Sequence, residues 1–256
     1  MRISAVVIAK DEARDVEACL RSVSFCDEVL LLDSGSRDGT QDLARAAGAR
    51  VVETDWPGYV AQKERGARLA AHDWVLSLDA DERVDDRLRA RLERLRDGPE
   101  PMAAGFEMTR HVFYLGRWID HGGWYPEWRT RLFDRRRARW GGTEPHDRVE
   151  LDGPLERLAD GEIHHFTYRT LSEHLAQIDR FTTIAAAERV AAGRTASLVG
   201  MLFRSPWRFF RMYVLRAGFL DGRAGFVLAA LAAYYVFLKY AKTWEATGYG
   251  RGSERA

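Results

Sequence analysis

The sequence is poor in several features that would assign it to a familiar class of protein. It has two cysteines, Cys19 and Cys26, in apolar surroundings and without metal-site spacing, which favours a reducing compartment and a place in the core. The formal net charge of +1 over 256 residues argues against a nucleic-acid partner held by bulk electrostatics. Met1 leads straight into a short apolar run, so no cleavable signal is expected.

Glycine-rich phosphate loops are also missing. The first apolar run, Ile3–Ala9, is followed by the glycine-free stretch KDEAR, and the second, Glu28–Asp33, by residues 34–40 without G-x-G-x-x-G. A dinucleotide fingerprint of the ordinary kind is therefore absent. A sugar nucleotidyltransferase is disfavoured, because it needs a glycine-rich basic loop after its first strand.

Apolar runs alternate with helical patterns over the first eighty residues. Continuous runs at residues 3–9, 28–33, 50–54 and 74–79 predict strands, and the segments between them have helical periodicity. Such alternation predicts βαβ units. We therefore expect an α/β fold with a mostly parallel central sheet, flanked by helices.

Acidic residues stand at the ends of two of these strands. Asp79 and Asp81 follow WVLSL, and Asp33 ends the second strand. The carboxyl ends of parallel strands form the ligand crevice of such sheets, and carboxylates two apart can face one Mg²⁺ or Mn²⁺ ion together with phosphate. The alternatives are solvated acids after a strand and, for Asp33, a turn aspartate.

Three segments resemble a known family. VVIAKDE, LLLDSGSRDGT and WVLSLDADE, in this order and spacing, resemble the nucleotide-sugar-binding half of the inverting family 2 glycosyltransferases, which have the GT-A fold. The GFLDG stretch before the last apolar helix resembles bacterial lipopolysaccharide core members and extends the likeness to most of the chain. The resemblance implies a metal-dependent hexosyltransferase with a UDP-sugar donor and a divalent cation, Mg²⁺ or Mn²⁺.

The resemblance also implies roles for individual residues in the first half. Asp33 binds the nucleotide base, Asp79 lies near the ribose or diphosphate, and Asp81 ligates the metal. Further contacts with the nucleotide-sugar are expected from residues spread along the chain, namely Ala9, Glu12, Lys63, Arg129 and Arg131. The sequence departs from the family pattern at Asp11 and Glu64, where many members have asparagine.

The second half contains the candidates for acceptor binding and catalysis. Residues 116–142 are dense in Trp, Arg and Gly, which suits sugar stacking and phosphate binding or, alternatively, a surface hairpin. The resemblance places the general base in a segment like the one that holds Asp147, with Glu144 and Glu150 as rivals and an ordinary loop acid as the alternative. His165, or its neighbour His164, is expected to bind the metal or diphosphate unless it is a core histidine.

The tail differs in character from the rest. Aromatic and apolar residues alternate with arginines over residues 197–216, as in a helix lying in a membrane interface. The apolar run 224–238 is shorter than the roughly 20 residues that cross a bilayer, so we expect an interfacial or re-entrant hairpin. The alternative is a helical pair packed on its own domain or on a second copy, as in a homodimer.

These observations predict a catalytic domain at residues 1–195, with a nucleotide-sugar half (1–97) and an acceptor half (98–195), and a helical tail at 196–256. The expected function is transfer of a hexose, glucose in first place, to a lipid-linked glycan, the lipopolysaccharide inner core, at the cytoplasmic face of the bacterial inner membrane. The protein would be peripheral there and would have no nucleic-acid partner. Two alternatives stay open: a polyprenyl-phosphate glycosyltransferase, and a non-catalytic, membrane-docking nucleotide-binding module.

Overall fold

The first eighty residues form alternating strands and helices in a computed structural model, which describes residues 1–144 and 146–248 apart from the side chains of residues 146, 198 and 199. The strands are β1 (Ile3–Ala9), β2 (Glu28–Asp33), β3 (Arg50–Glu53) and β4 (Trp74–Asp79). The helices are α1 (Val16–Ser22), α2 (Thr40–Ala46) and α3 (Tyr59–Leu69). The predicted βαβ alternation is confirmed.

Strand β1 lies at the centre of the parallel part of the sheet. It pairs with β2 on one side and with β4 on the other, both in parallel, and β3 pairs with β2. All seven β1 residues are buried, because alternate side chains enter apolar clusters on the two faces of the sheet. This burial on both faces explains why the strand is continuously apolar in sequence.

The sheet continues beyond β4 with antiparallel pairings. The added elements are β5 (Glu82–Val84), α4 (Asp86–Asp97), β6 (Gly105–Tyr114), β7 (Arg117–Ile119), β8 (Glu127–Asp134), β9 (Ala138–Thr143), β10 (His146–Leu151) and β11 (Leu155–Phe166). The strand order is β3-β2-β1-β4-β8-β6-β11-β5, and β9 and β10 form a separate hairpin. The α/β class is therefore confirmed, while the sheet as a whole is mixed, because β8 and β6, and likewise β11 and β5, pair antiparallel.

The chain divides into two compact units. The first contains Met1–His111 and Pro126–Phe166. The second contains Val112–Tyr125 and the described residues from Thr167 onward. Its helices are α5 (Leu171–Ala191), α6 (Leu198–Phe210) with a π-helical turn at Arg211–Leu215, a 3₁₀ turn at Gly218–Asp221, and α7 (Gly222–Gly248). The domain boundary expected at residue 195 stays a prediction.

Helix α7 is longer than the sequence pattern indicated. The apolar run ends at residue 238, but the helix runs on to Gly248, because Lys239 and Lys242 are good helix formers. The helix is therefore longer than its apolar run, and the expected interfacial or re-entrant hairpin stays a prediction. The segment Gly218–Gly248 is long and apolar enough, by length and composition, to cross a membrane.

Gly66 fixes the distance between α3 and the sheet, and this gives a first testable prediction. A Cβ added there would lie 2.5 Å from Val6 Cγ1 and 3.5 Å from Leu32 Cδ1. Replacing a helix glycine by alanine normally stabilises by about 0.5–1 kcal/mol, but overpacking a core costs about 1–3 kcal/mol. We expect Gly66→Ala to lower the free energy of unfolding, measured by urea titration.

Gly248→Ala is the matched control, since its added Cβ would meet nothing closer than 3.6 Å. A Gly66→Ala protein as stable as the unsubstituted chain would show that α3 is not held against β1 and β2 as described.

Candidate active site

The loops that leave β1 and β2 bind each other at the carboxyl edge of the sheet. The amide of Asp11 donates to Ser36 Oγ (2.8 Å), and the amide of Arg37 donates back to Asp11 Oδ1 (2.8 Å). The amide of Glu12 donates to Thr40 Oγ1 (2.8 Å). Asp11 has a φ of +56°, a conformation that Asp and Asn adopt more readily than most residues. These bonds fix the backbone of Glu12 at this edge.

Asp33 organises the loop that follows it. The residue is fully buried, opposite Ala9 in the β1–β2 register. Its Oδ1 accepts hydrogen bonds from the amides of Gly35 (3.0 Å) and Ser36 (2.9 Å) and from Gln41 Nε2 (2.6 Å). Its Oδ2 accepts from the Ser36 hydroxyl. Asp33 therefore stabilises the turn that follows it. Its Oδ2 can accept one more hydrogen bond, since each carboxylate oxygen has two lone pairs.

A network of buried charges surrounds Asp79 at the end of β4. Lys63 Nζ, on α3, lies 2.9 Å from Asp79 Oδ1 and 2.9 Å from Asp147 Oδ2 on β10. Arg131 Nη2, on β8, lies 3.0 Å from Asp79 Oδ2 and also contacts Glu82. The structure thus brings together Lys63, Asp79, Arg131 and Asp147, which the sequence analysis had placed in the site separately.

Glu82 is a member of this network that the sequence analysis left without a role. It is fully buried, and its Oε2 accepts the amide of Asp79 at 3.0 Å. Its Oε1 accepts from Arg131 and from Arg110 Nη1 (3.3 Å). Arg110 in turn pairs with Glu127 at 2.7 Å. The signal available in sequence was a third acid directly behind the aspartate pair.

The network holds Asp79 and Arg131 in their charged forms. Burial alone would raise the pKa of Asp79, but the positive charges of Lys63 and Arg131 outweigh it and hold that pKa well below its usual range. Burial likewise opposes the charge of Arg131, yet Glu82 and Asp79 raise its pKa above the ordinary arginine value. The site therefore contains fixed, compensated charges.

Asp81 lies outside this network and contacts His165. It lies in the turn between β4 and β5, and its Oδ2 is 3.0 Å from His165 Nε2. The antiparallel pairing of β11 with β5 sets His165 opposite Glu82 and so delivers the imidazole to this turn. Asp79 is engaged by cationic side chains and Asp81 by an imidazole, and the expectation that the two carboxylates face one cation stays a prediction.

Asp81 and His165 fit a divalent cation that is shared with a ligand. Within the described residues, no group of three or more His, Cys, Asp or Glu side chains gathers in a metal-binding arrangement. His165 Nδ1 is buried without a hydrogen-bond partner, and Asp81 is 30% exposed. Mg²⁺-type sites often use one or two protein carboxylates and complete their coordination with substrate phosphates and water. The donor set suits such a site.

Glu12 lies within electrostatic range of Asp81. Burial, followed by the charges of Asp81 and Asp15, raises the pKa of Glu12 to about 7. Negative charge is therefore crowded at this edge of the sheet. A cation bound there would relieve that repulsion.

The three candidate bases have different surroundings. Asp147 is 16% exposed and contacts Lys63. Glu144 Oε1 accepts the amide of Val60 at 3.0 Å and so caps the first turn of α3. Glu150 is paired with two arginines of its own hairpin. Of these three, Asp147 is the one whose described contact belongs to the buried network.

Arg129 and His164 lie outside the buried network. Arg129 is 42% exposed and pairs with Glu127, whereas Arg131, two residues on, is 5% exposed. His164 Nε2 lies 3.3 Å from Glu162. The alternation of side chains along β11 separates His164 from its neighbour His165. Arg129 and Arg131 are two residues apart on β8 and differ in their burial and their partners.

Comparison with known proteins decides the family. The model of glycosyl transferase family 2 matches residues 4–151, more than half of the chain. The chain belongs to this family. The lipopolysaccharide core biosynthesis glycosyltransferase LpsC of Rhizobium meliloti is 28% identical over 254 residues, which cover 95% of this chain and 92% of LpsC. An uncharacterized glycosyltransferase of Rickettsia bellii is also 28% identical, over 95% of this chain and 86% of its own.

Solved structures share the fold of this glycosyltransferase. The mannosyltransferase PcManGT from Pyrobaculum calidifontis, in complex with GDP-Man and Mn²⁺, matches with a TM-score of 0.55 at 14% identity, over 96% of this chain and 88% of that one. TarS 1–349 of S. aureus, in complex with UDP-GlcNAc, matches with a TM-score of 0.50 at 12% identity, over 98% and 92%. The expected GT-A fold is confirmed.

The buried network predicts that Glu82→Gln is strongly destabilising. Loss of the charge leaves Arg131 and Arg110 without their shared buried partner, and breaking a buried ion pair costs about 3–5 kcal/mol. Urea unfolding would measure the loss. The control is Glu150→Gln, because the arginine partners of Glu150 are exposed and a surface pair contributes about 0–1 kcal/mol. Equal losses in the two variants would contradict the central role of Glu82.

The raised pKa of Glu12 predicts a stability that falls with pH. The folded protein keeps the Glu12 proton up to about pH 7, whereas the unfolded chain loses it near 4.5. The free energy of unfolding therefore decreases between those pH values, by at most about 1.4 kcal/mol per pH unit from this group. In chelator-treated protein, Glu12→Gln should remove that part of the slope.

The measurement is urea unfolding across that pH range, with Glu17→Gln as the control. Glu17 is 47% exposed and pairs with Arg21 on the surface of α1. An unaltered slope in Glu12→Gln would show that Glu12 ionises in the folded protein as it does in the unfolded chain.

Proposed function

We propose that this glycosyltransferase transfers a hexose, glucose in first place, from a UDP-sugar to a lipid-linked glycan, the lipopolysaccharide inner core. The observation that carries the proposal is the bridge that Lys63 makes between Asp79 and Asp147, 2.9 Å from each. It joins the candidate diphosphate neighbour to the candidate base. The likeness to LpsC supports the choice of acceptor.

The nucleotide-sugar is assigned to the carboxyl edge of β1, β2 and β4. Asp33 would accept a base N–H at Oδ2, beside Ala9, and Glu12 would line the nucleoside. Asp81 and His165 would hold Mg²⁺ or Mn²⁺, and PcManGT in complex with GDP-Man and Mn²⁺ supports a cation in this fold. When bound, the cation neutralises charge on the diphosphate leaving group.

The arginines of β8 have separate tasks in this proposal. Arg131 contacts Asp79 and Glu82 from a buried position, so it holds Asp79 in place beside the diphosphate. Arg129 is 42% exposed, and its guanidinium suits a phosphate oxygen of the nucleotide-sugar.

Asp147 is proposed as the general base of a single displacement. The acceptor oxygen forms its bond to the anomeric carbon while the bond from that carbon to the diphosphate oxygen breaks, and UDP leaves with the electron pair. Asp147 takes the proton of the acceptor hydroxyl. Lys63 holds the Asp147 carboxylate from the side of Asp79. Attack opposite to the leaving group inverts the anomeric configuration.

The second unit is proposed to attach the protein to the cytoplasmic face of the inner membrane. Large apolar side chains are exposed along α6 and the turn after it, namely Leu202, Phe203, Trp207, Phe210, Val214 and Leu215. Arginines lie between them in the sequence. This combination is typical of a peripheral helix in a membrane interface.

Release of UDP tests the enzymatic proposal. Full-length protein would be supplied with UDP-glucose or other UDP-sugars, Mn²⁺ and extracted lipid acceptors. We expect Asp147→Asn to lower turnover by about 100-fold or more, the usual contribution of a general base, with UDP binding retained. Asp42→Asn is the control, because Asp42 is 87% exposed on α2. An unaltered rate in Asp147→Asn would move the base to another residue.

Calorimetry of UDP binding tests the cation site separately. We expect Mn²⁺ to strengthen UDP binding, and Asp81→Asn to abolish that gain. Equal UDP affinity with and without Mn²⁺ would contradict the site.

The lipid acceptors in the release assay distinguish the alternatives. Transfer to polyprenyl phosphate in place of the lipopolysaccharide core would replace the acceptor assigned above. No transfer to any lipid would favour a non-catalytic module.

A further inference from the structure

Three cations from three helices of the second unit surround one aromatic ring. The guanidinium carbons of Arg189 on α5 and Arg204 on α6 lie 4.6 and 5.6 Å from the centre of the Tyr240 ring. Lys239 Nζ on α7 lies 5.3 Å from the same centre. The ring stabilises cations on its face, and it gathers these three into a cation cluster.

None of the three members of the cation cluster forms an ion pair with a carboxylate in the part of the chain that the structure describes. Arg189 donates to the carbonyl of Thr195 at 3.2 Å, but its Nε is buried without a partner. Partial burial and the neighbouring arginines, Arg189 first, lower the pKa of Lys239. Uncompensated like charges of this kind attract an anion.

An apolar groove lies between the same helices α6 and α7. Its volume is about 360 Å³, within the range of small-molecule sites. Met201, Phe209, Tyr234 and Phe237 contribute to its walls. Ser205, which is 8% exposed, lines it too, with a hydroxyl that has no hydrogen-bond partner.

The groove and the cation cluster are adjacent in sequence on both helices. Arg204 directly precedes Ser205 on α6, and Lys239 follows Phe237 by two residues on α7. A ligand that satisfies both must therefore combine an anionic group with an apolar chain. The exposed apolar surface of α6, with Phe203 and Trp207, would place such a ligand in a membrane.

We propose that Arg189, Arg204 and Lys239 bind the phosphate of an anionic membrane phospholipid, whose acyl chain lies in the groove between α6 and α7. The inference rests on the membrane attachment proposed above and is independent of the glycosyl transfer. The three cations would give this surface a preference for anionic lipids. Insertion of aromatic residues alone would not give such a preference.

Vesicle binding of the full-length protein tests the proposal without any sugar donor. The probes are vesicles of phosphatidylcholine alone and of phosphatidylcholine with phosphatidylglycerol. We expect at least about tenfold tighter binding to the anionic vesicles, because each basic residue near such a surface adds to the attraction. Arg204→Gln/Lys239→Gln should lose most of that preference, with an unchanged melting temperature.

The matched control is Arg180→Gln/Arg223→Gln, which removes two exposed charges of the same unit outside the cation cluster. Equal losses in the two double variants would overturn the proposal in favour of diffuse electrostatics. So would displacement of the protein from anionic vesicles by millimolar inorganic phosphate, which would indicate a site for free anions. If the double variant does not fold, the single variant Arg204→Gln, at an exposed position, replaces it in the vesicle-binding test.

A third variant tests the groove. Ala233→Trp places a large side chain among the lining residues. We expect weaker binding to both kinds of vesicle and an unchanged ratio between them. Unchanged affinity would overturn the placement of the acyl chain. If the unsubstituted protein binds anionic vesicles but releases no UDP from any UDP-sugar, the enzymatic proposal fails while the lipid site is still supported.

Discussion

The ion pairs around Asp79 are the interaction on which the candidate site depends. Charges buried at the end of a strand are tolerated only when each has an opposite partner within contact distance. Here the partners come from different elements: Lys63 from α3, Glu82 from β5, Arg131 from β8 and Asp147 from β10. Electrostatics therefore requires that these elements keep their mutual positions, and the same requirement fixes the geometry of the site.

The parallel half of the fold could be predicted from the sequence, and the antiparallel half could not. A strand buried on both faces has a continuous apolar run, so β1, β2 and β4 are visible locally. The pairing of β11 with β5 leaves no such local signal, yet it places His165 beside Asp81, eighty-four positions earlier in the chain. Glu82 was missed for a related reason. An acid after a strand suggests solvation, and its burial follows only from arginines that other strands supply.

The end of α7 shows the same limit. Lys239 and Lys242 end the apolar run of the tail, and the sequence pattern does not show what they contact. In the folded unit Lys242 Nζ lies 2.7 Å from Asp179 Oδ1 and 2.6 Å from Thr183 Oγ1 on α5, and Lys239 faces Tyr240. Lys242 therefore forms a contact between α7 and α5. Its partners lie about sixty residues earlier, beyond the reach of a local pattern.

The two aspartates of the segment WVLSLDADE have different contacts. Asp79 is held by two cations, so releasing it to a metal ion would leave Lys63 and Arg131 with fewer partners in a buried setting. Asp81 contacts one imidazole, so a cation proposed to bind there would compete with a single partner. In the proposed site, the aspartate that belongs to the buried network and the aspartate that ligates the cation are thus different residues. Because one alanine separates them, the contacts of Asp79 would remain intact while the ligands of Asp81 change.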